Sequence, residues 1–225
     1  IKNPYRMAIT YLYYLWNIDK NGKEEFPEYV YERFPFYRKI ISIPEIDTVG
    51  KQITTGFNSI VTTSMGRFFD AVSSILDLSH SASFEGEAAI HLEMTAAEDE
   101  DEKYDLKIDD NDSKYIIDDL HIFRQITEDI RVGVDRSRIS AKFHNTLADA
   151  VFNISWTIGK IYRINKVALS GGVFQNNYLL SKCYNLLKNN GFNVYLNLKV
   201  PVNDGGISLG QAFIAALKSY SSRKE

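Results

Sequence analysis

Cysteine is almost absent from this 225-residue chain, and proline is sparse. The single thiol, Cys183, excludes an intramolecular disulfide and fits a reducing compartment, so we expect a cytoplasmic protein. No apolar run is long enough to cross a membrane, and the first residues do not look like a secretory signal. With 5 prolines and 44% hydrophobic residues, the sequence predicts an ordered globular fold with a sizeable core and no membrane partner.

A large excess of one charge is also missing. Acids and bases are mixed and the net charge is −3, so no nucleic-acid partner is expected. The acidic run from Glu98 to Asp112 is interpreted as a solvated loop edge, with a short hairpin around Asn111 and Asp112. A calcium loop beginning at Asp109 is disfavoured, because its sixth position would need glycine and Lys114 stands there.

The secondary-structure pattern changes along the chain. Apolar periodicity predicts helices over 4–20, within 62–78, over 119–131 and over 135–162. The last third then repeats one unit twice: a strand, a glycine pair and a helix. This alternation predicts an α/β fold with parallel strands, in which both glycine pairs lie beyond the carboxyl ends of adjacent strands.

The first glycine pair, in "VALSGGVFQNNYLL", leaves backbone N–H groups open at the start of a helix. Gly171 and Gly172 could therefore admit a phosphate or ribose, and the Asn176 amide could bind a base or sugar. A tight strand-to-helix turn, with Asn176 capping nothing, explains the same residues equally well. The spacing matches neither a P-loop nor the dinucleotide motif G-x-G-x-x-G.

The second pair, in "VNDGGISLGQAFIAAL", follows a carboxylate. Asp204 is favoured on spacing alone as the N-cap that accepts from Gly206 or Ile207, and a metal-ligand role is the alternative. Upstream, Asp70 interrupts an apolar helix face close to Arg67 and is either a solvated carboxylate or a partner for a ribose hydroxyl. Cys183 falls on the apolar side of its helix and is predicted to lie in the core. His144 lies within the long helix and is expected to satisfy a partner there rather than to bind a metal.

Taken together and in order, four segments resemble the C-terminal region of the HypF family of carbamoyltransferases. They are "TTSMGRFFDAVSSILDL…FEGEAAIHLE", "AKFHNTLADAV", "VALSGGVFQNNYLL" and "VNDGGISLGQAFIAAL", and "PYRMAITYL" resembles the segment that opens this region. The resemblance implies an actin- and sugar-kinase-like (ribonuclease H-like) α/β lobe, the C-terminal part of a two-lobed domain. It further implies a helical approach segment over 1–60 and the lobe over 61–225.

The resemblance also implies a chemistry. Proteins of this family use carbamoyl phosphate and ATP, through carbamoyl-adenylate, to carbamoylate the C-terminal cysteine of HypE for nickel–iron hydrogenase maturation. The positions that match the family's nucleotide site are Asp70, Gly86, Gly171, Gly172 and Asn176. Asp204 matches its metal-ligand aspartate, which reverses the preference for the cap. Arg67 is a candidate for assisting the leaving phosphate.

One family feature is missing. The paired metal-binding histidines, spaced H-x-x-x-H, do not occur in the sequence, so the other ligands of an Fe, Zn, Mn or Mg ion are expected outside this chain. We expect the upstream domains of a longer polypeptide and a HypE-like acceptor as partners, and an inactive piece in isolation. Two alternatives stay open: the lobe of an actin-fold small-molecule kinase, and a nucleotide-gated interaction module.

Overall fold

The structure, a computed structural model, describes residues 2–19, 24–111 and 114–221. The chain divides into two compact units, residues 1–150 and 151–225. Lys20, at the end of the first predicted helix, and Asp112, in the predicted hairpin turn, lie outside the described residues. The division predicted at residue 60 concerned the lobe of a longer protein and stays a prediction.

The first unit is mainly helical. Its elements are α1 (Pro4–Asp19), α2 (Phe26–Arg33), a 3-10 turn (Pro35–Lys39), α3 (Ile43–Thr55), α4 (Met65–Ile75), α5 (Glu87–Thr95), an antiparallel hairpin of β1 (Ile108–Asn111) and β2 (Lys114–Ile117), α6 (Asp119–Arg131) and the first part of α7 (Arg136–Tyr162). Helix α1 packs against α3, α4 and α6, so the long helices surround one core.

Aromatic side chains fill this core. The Tyr11 ring stacks on Phe123 with centroids 4.8 Å apart and lies 5.3 Å from Phe68. Phe143 of α7 meets Phe68 and Phe69 edge-on at 5.2 and 5.0 Å. These offset and edge-to-face arrangements are the ones that aromatic pairs favour. The predicted apolar stripes of α4 and α7 therefore face each other.

Polar side chains fix where several helices begin and end. Glu45 in the first turn of α3 accepts from the Ser42 backbone N–H (3.1 Å) and hydroxyl (2.9 Å). Asp118 caps α6 by accepting from the His121 N–H at 2.9 Å. Such caps satisfy donors that lack a partner in the first turn of a helix.

Part of the acidic run is packed rather than solvated, which corrects the sequence-based interpretation. Glu100 is buried and pairs with Arg138 of α7 at 2.6 Å. That hydrogen-bonded ion pair lowers the pKa of the Glu100 carboxyl. Asn145 then donates from Nδ2 to the backbone carbonyls of Glu100 (2.7 Å) and Glu102 (2.9 Å). The segment before the hairpin is thus held on α7, while the predicted hairpin itself is confirmed.

The second unit contains the end of α7, then β3 (Lys166–Leu169), a 3-10 turn (Gly172–Gln175), α8 (Asn177–Asn189), β4 (Asn193–Leu196), a 3-10 turn (Asp204–Gly206) and α9 (Ile207–Ser221). Strands β3 and β4 pair in parallel, with Lys166 opposite Asn193 and Leu169 opposite Leu196. The parallel α/β repeat predicted from the sequence is therefore confirmed.

The core of this unit is small. It is formed by Leu169, Leu179, Cys183, Leu187 and Phe192, all buried. By contrast, α9 is exposed along its described length. Its six large apolar side chains are each more than half exposed: Ile207, Leu209, Phe213, Ile214, Leu217 and Tyr220.

Candidate functional site

The two glycine-containing loops adjoin in the second unit. The Gly171 backbone N–H donates to the Val202 carbonyl at 2.9 Å, which joins the loop after β3 to the loop after β4. Gly171 has a φ of 102°, a conformation that favours glycine. The loops therefore lie beyond the carboxyl ends of paired parallel strands, where open α/β sheets bind ligands.

The two loops contain four glycines, and they differ in whether the surrounding atoms leave room for a side chain. A Cβ on Gly206 would lie 2.6 Å from the Pro201 carbonyl oxygen and 3.1 Å from Val200 Cγ1, so the protein's own packing excludes a side chain there. A Cβ on Gly172 would have one neighbour within 4 Å, Gln175 Oε1 at 4.0 Å. Gly172 therefore faces open space, and the described chain gives no packing reason for a glycine there.

Asn176 has a structural role that the sequence did not reveal. It is buried, and its Oδ1 accepts from the Leu179 N–H at 2.8 Å as the N-cap of α8. The interpretation in which Asn176 caps nothing is therefore wrong. The helix begins at Asn177, after the 3-10 turn Gly172–Gln175, so its positive dipole end follows the glycine loop.

The N-cap role that the spacing predicted for Asp204 is filled by its neighbour, Asn203. Asn203 accepts from the Gly205 N–H at 3.1 Å, whereas the side chain of Asp204 is exposed and makes no hydrogen bond or ion pair within the described chain. The residue Asn203 was missed because two adjacent side chains are both good caps, and the sequence does not select between them. Asp204 is free to take part in other contacts.

The described residues offer few ligands for a metal ion. Within the described ranges, no three His, Cys, Asp or Glu side chains cluster in a way that could hold an ion. One exposed carboxylate, Asp204, supplies a single oxygen ligand group, and divalent cations need several. The described residues therefore do not form a metal centre by themselves.

In the first unit, Arg67 and Asp70 form an ion pair on α4. Asp70 Oδ2 lies 2.6 Å from Arg67 Nη1, although no well-aligned hydrogen-bond donor reaches this oxygen within the described chain. Burial raises the pKa of the Asp70 carboxyl, and the Arg67 charge opposes that shift. The structure thus replaces the solvated-carboxylate interpretation with a buried carboxylate that lacks a well-aligned donor.

Gly86 stands immediately before α5 in a left-handed conformation, with φ of 83°, and a Cβ there would meet nothing within 4 Å. Glu87, the next residue, accepts from the Ser83 hydroxyl at 2.9 Å and so fixes the loop that contains Gly86. Gly86 therefore has a conformational reason to be glycine, in addition to any contact with a ligand.

Two candidate nucleophiles or bases are excluded by their surroundings. Cys183 is fully buried, and burial raises the pKa of its thiol to about 12, which leaves it protonated and inert. His144 is also fully buried, with Nδ1 2.7 Å from the Ser140 carbonyl, and burial lowers its pKa to about 4. The core position predicted for Cys183 is confirmed, and His144 contacts a partner on its own helix as predicted.

The predicted site residues thus form two separate groups. Gly171, Gly172, Asn176 and Asp204 lie on adjoining loops of the second unit. Arg67 and Asp70 are in contact on α4 of the first unit, and Gly86 immediately precedes α5. No helix in the described part of the chain meets the length and hydropathy of a membrane span.

A parallel strand pair with a glycine loop and a helix after each strand defines an α/β domain of the ligand-binding kind. Residues 1–211 match the domain family described as "Carbamoyltransferase, Kae1-like Domain, second subdomain". The chain belongs to this carbamoyltransferase domain family.

Curated relatives agree along nearly the whole chain. It is 33% identical over 218 residues to the carbamoyltransferase HypF of Synechocystis sp., covering 94% of this chain and 27% of that protein. It is 30% identical to the probable carbamoyltransferase HypF of Methanocaldococcus jannaschii, covering 97% and 27%. The chain therefore spans about a quarter of the length of these relatives.

Solved structures show the same fold. A crystal structure of full-length HypF in the phosphate- and nucleotide-bound form superposes with a TM-score of 0.83 at 42% identity, covering 96% of this chain and 26% of that one. T. kodakarensis HypF superposes with a TM-score of 0.80 at 26% identity, covering 98% and 28%. The resemblance drawn from the four motifs is confirmed, and with it the α/β Kae1-like fold.

Proposed function

We propose that this chain is the part of a HypF-type carbamoyltransferase that supplies one wall of the adenine-nucleotide cleft. In the proposed reaction, water releases inorganic phosphate from carbamoyl phosphate, and the resulting carbamate attacks the α-phosphate of ATP. This step gives carbamoyl-adenylate and releases pyrophosphate. The thiolate of the C-terminal cysteine of a HypE-like acceptor then attacks the carbamoyl carbon. A C–S bond forms, the bond from that carbon to the adenylate phosphate oxygen breaks, and AMP leaves. The product serves hydrogenase maturation.

The observation that carries this proposal is the open space at Gly172. Of the glycines in the two loops, Gly171 is explained by its φ and Gly206 by contact with Pro201, whereas Gly172 has no such internal requirement. Next to it stands the N-terminus of α8, which Asn176 caps. Backbone N–H groups and a helix dipole favour a phosphate or a sugar at this position.

The same cleft would act by positioning and electrostatics rather than by a nucleophile from this chain. The one cysteine is buried with a raised thiol pKa, which is consistent with the attacking thiolate coming from the acceptor protein. Arg67 is proposed to offset developing charge on the leaving phosphate, and Asp70 to bind a nucleotide hydroxyl. Asp204 is proposed as one oxygen ligand to a metal held mainly by other parts of the longer protein.

The test is Gly172→Ala, with Gly210→Ala as the matched control. A Cβ on Gly210 also meets nothing within 4 Å, but that residue lies on α9, four residues beyond Gly206, and outside the loop after β3 that holds Gly172. Calorimetric titration of ATP and GTP is made into the full-length protein and into this chain. We expect Gly172→Ala to weaken ATP binding by roughly tenfold or more, a loss of about 1.4 kcal/mol.

The control is expected to bind ATP like the parent. Gly172→Ala is expected to keep its thermal midpoint, and Gly210→Ala to keep or raise its own, because alanine is the better helix former. Acceptor carbamoylation that depends on carbamoyl phosphate is measured alongside in the full-length protein. Unchanged ATP affinity in Gly172→Ala would remove the glycine loop from the nucleotide site. Turnover of ATP to ADP that ignores carbamoyl phosphate would favour a kinase instead.

A further inference from the structure

A separate cavity of about 290 Å³ lies in the first unit. Buried apolar side chains form its floor, among them Phe34, Ile75, Leu76 and Ile139. Two arginines, Arg33 and Arg136, are also among the lining residues. None of the residues assigned above to nucleotide or metal binding lines this cavity, so the inference does not depend on the proposed function.

Arg136 is held in place at its side of the cavity. Its Nη1 donates to the Asp77 backbone carbonyl at 3.3 Å, and its Nη2 lies 3.1 Å from Asp77 Oδ2. Asp77 itself adopts a left-handed conformation with φ of 57°, which presents its carbonyl and its side chain to one partner. Because a guanidinium has five N–H donors, this two-point contact leaves donors for a ligand.

A hydrogen-bonded chain supports Asp77 from behind. His80 Nε2 lies 2.9 Å from Asp77 Oδ1, His80 Nδ1 lies 3.1 Å from the Ser74 hydroxyl, and that hydroxyl lies 2.8 Å from the Tyr37 hydroxyl. Ser74 and Tyr37 are fully buried, so the chain is anchored in the core. We call the five residues Tyr37, Ser74, His80, Asp77 and Arg136 the polar chain.

The polar chain also contacts a second lining residue of the cavity, Phe36. The ring of Phe36, a lining residue, lies 4.5 Å from the Tyr37 ring and 5.6 Å from the His80 ring. The polar chain therefore holds two lining residues in place, the cationic Arg136 and the aromatic Phe36. Preorganised lining groups of this kind lower the entropic cost of binding a small ligand.

Arg33 adds a second cation whose present partner is easily exchanged. It pairs with Glu24 at 2.8 Å and lies over the Tyr29 ring at 3.8 Å. Both members of the ion pair are partly exposed, and such pairs contribute little to stability. A carboxylate that enters the cavity can therefore compete for this guanidinium at small cost.

We propose that this cavity binds a small organic acid with an apolar body and one carboxylate. The apolar part would lie on the floor formed by Ile75, Leu76 and Ile139, and the carboxylate would accept from Arg136 and Arg33. Planar guanidinium groups bind carboxylates through paired hydrogen bonds, which neither an alcohol nor an amine reproduces. The cavity lies at the small end of the size range of ligand pockets, which fits an acid of one ring or a short chain.

The experiment uses three probes with the same body: 3-phenylpropanoate, 3-phenylpropanol and 3-phenylpropylamine. Each is titrated into this chain with isoleucine methyl groups labelled for NMR. We expect 3-phenylpropanoate to shift the methyl signals of Ile75, Ile130 and Ile139, which line the cavity, with a Kd of roughly 1 mM or tighter. The alcohol is expected to bind roughly tenfold more weakly, and the amine more weakly still.

Two variants separate the cavity from the surface. Val134→Phe places a ring in the lining and is expected to abolish the shifts, whereas Val132→Phe, two residues away and exposed, is the matched control that keeps them. Arg136→Lys keeps the charge but loses the paired contact, so it is expected to weaken 3-phenylpropanoate and leave the alcohol unchanged.

Several outcomes would overturn the proposal. These are no methyl shifts up to about 10 mM probe, far above the expected Kd, equal binding of the acid and the amine, or unchanged binding in Val134→Phe. If Val134→Phe does not fold, as its methyl spectrum would show, Arg136→Lys decides the case: equal binding of 3-phenylpropanoate by Arg136→Lys and the parent would refute the role of the guanidinium.

Discussion

His144 is expected to make the first unit sensitive to mild acid. The imidazole is fully buried on α7, packs edge-on against Phe69 at 5.5 Å and Phe143 at 5.6 Å, and has Nδ1 2.7 Å from the Ser140 carbonyl. That carbonyl can only accept, so Nδ1 carries the proton in the neutral ring. Desolvation lowers the pKa of His144 from 6.5 to about 4, because a second proton would put a charge into the apolar core.

The sign and size of the effect follow from this shift. The folded state binds the second proton less readily than the unfolded state, so stability is full above the unfolded pKa and declines as pH falls through it. At 1.36 kcal/mol per unit of pKa, the loss is about 2 kcal/mol near pH 5 and about 3 kcal/mol below pH 4. Against a typical domain stability of about 5–15 kcal/mol, a loss of this size is readily measured.

The assay compares urea unfolding of the parent and His144→Gln between about pH 7 and pH 4.5, the window set by the shift. Trp156→Phe in both backgrounds leaves Trp16, in the first unit, as the fluorescent reporter. His91→Gln, on the half-buried face of α5, is the control for losing a histidine. If the parent and His144→Gln lose stability in parallel over this range, His144 is not the titrating group and the reasoning is refuted.

Two substitutions and one labelling experiment test other parts of the fold. Asn145→Ala should lower the free energy of unfolding by about 2 kcal/mol, because the carbonyls of Glu100 and Glu102 lose their donor, and it should speed amide exchange around Glu100. Unchanged exchange would contradict the role of Asn145 in holding this segment on α7. Gly206→Ala should lower the thermal midpoint through about 1–3 kcal/mol of overpacking against Pro201, and an unchanged midpoint would mean that the loop yields freely. The Cys183 thiol should react with a disulfide reagent only after unfolding, since it is buried with a raised pKa; fast labelling of the native protein would show an open second unit.

The repeated architecture was readable from the sequence because its signals are local. Alternation predicted the hairpin, and a strand, a glycine pair and a helix in succession predicted the parallel pair of β3 and β4. The assignment of the cap after β4 failed, since Asn203 and Asp204 are both capable and the choice depends on how the loop packs. The role of Asn176 was missed for the same reason: a cap is defined by the first residue of the helix, which the sequence locates only approximately.

Long-range partners were the other source of error. The acidic run was predicted to be solvated because it carries many charges and the sequence does not show their partners. The residue that pairs with Glu100, Arg138, lies 38 residues later in the chain. Ser74, Asp77 and His80 follow each other at three-residue spacing, but the helix ends at Ile75 and Asp77 turns left-handed, so helical periodicity did not group them. Most of the candidate site residues drew attention through their local patterns, but their assignment to a nucleotide or metal site rests on the family resemblance and stays a prediction.

The polar chain has an evolutionary consequence. Each member satisfies its neighbour, so replacing Ser74 or His80 alone leaves a hydroxyl or a carboxylate without its partner. Replacing several members together by apolar side chains removes both sides of each contact and costs far less than the sum of the single changes. Substitutions along this chain should therefore be strongly epistatic, and homologous sequences should keep or exchange the five residues as a set.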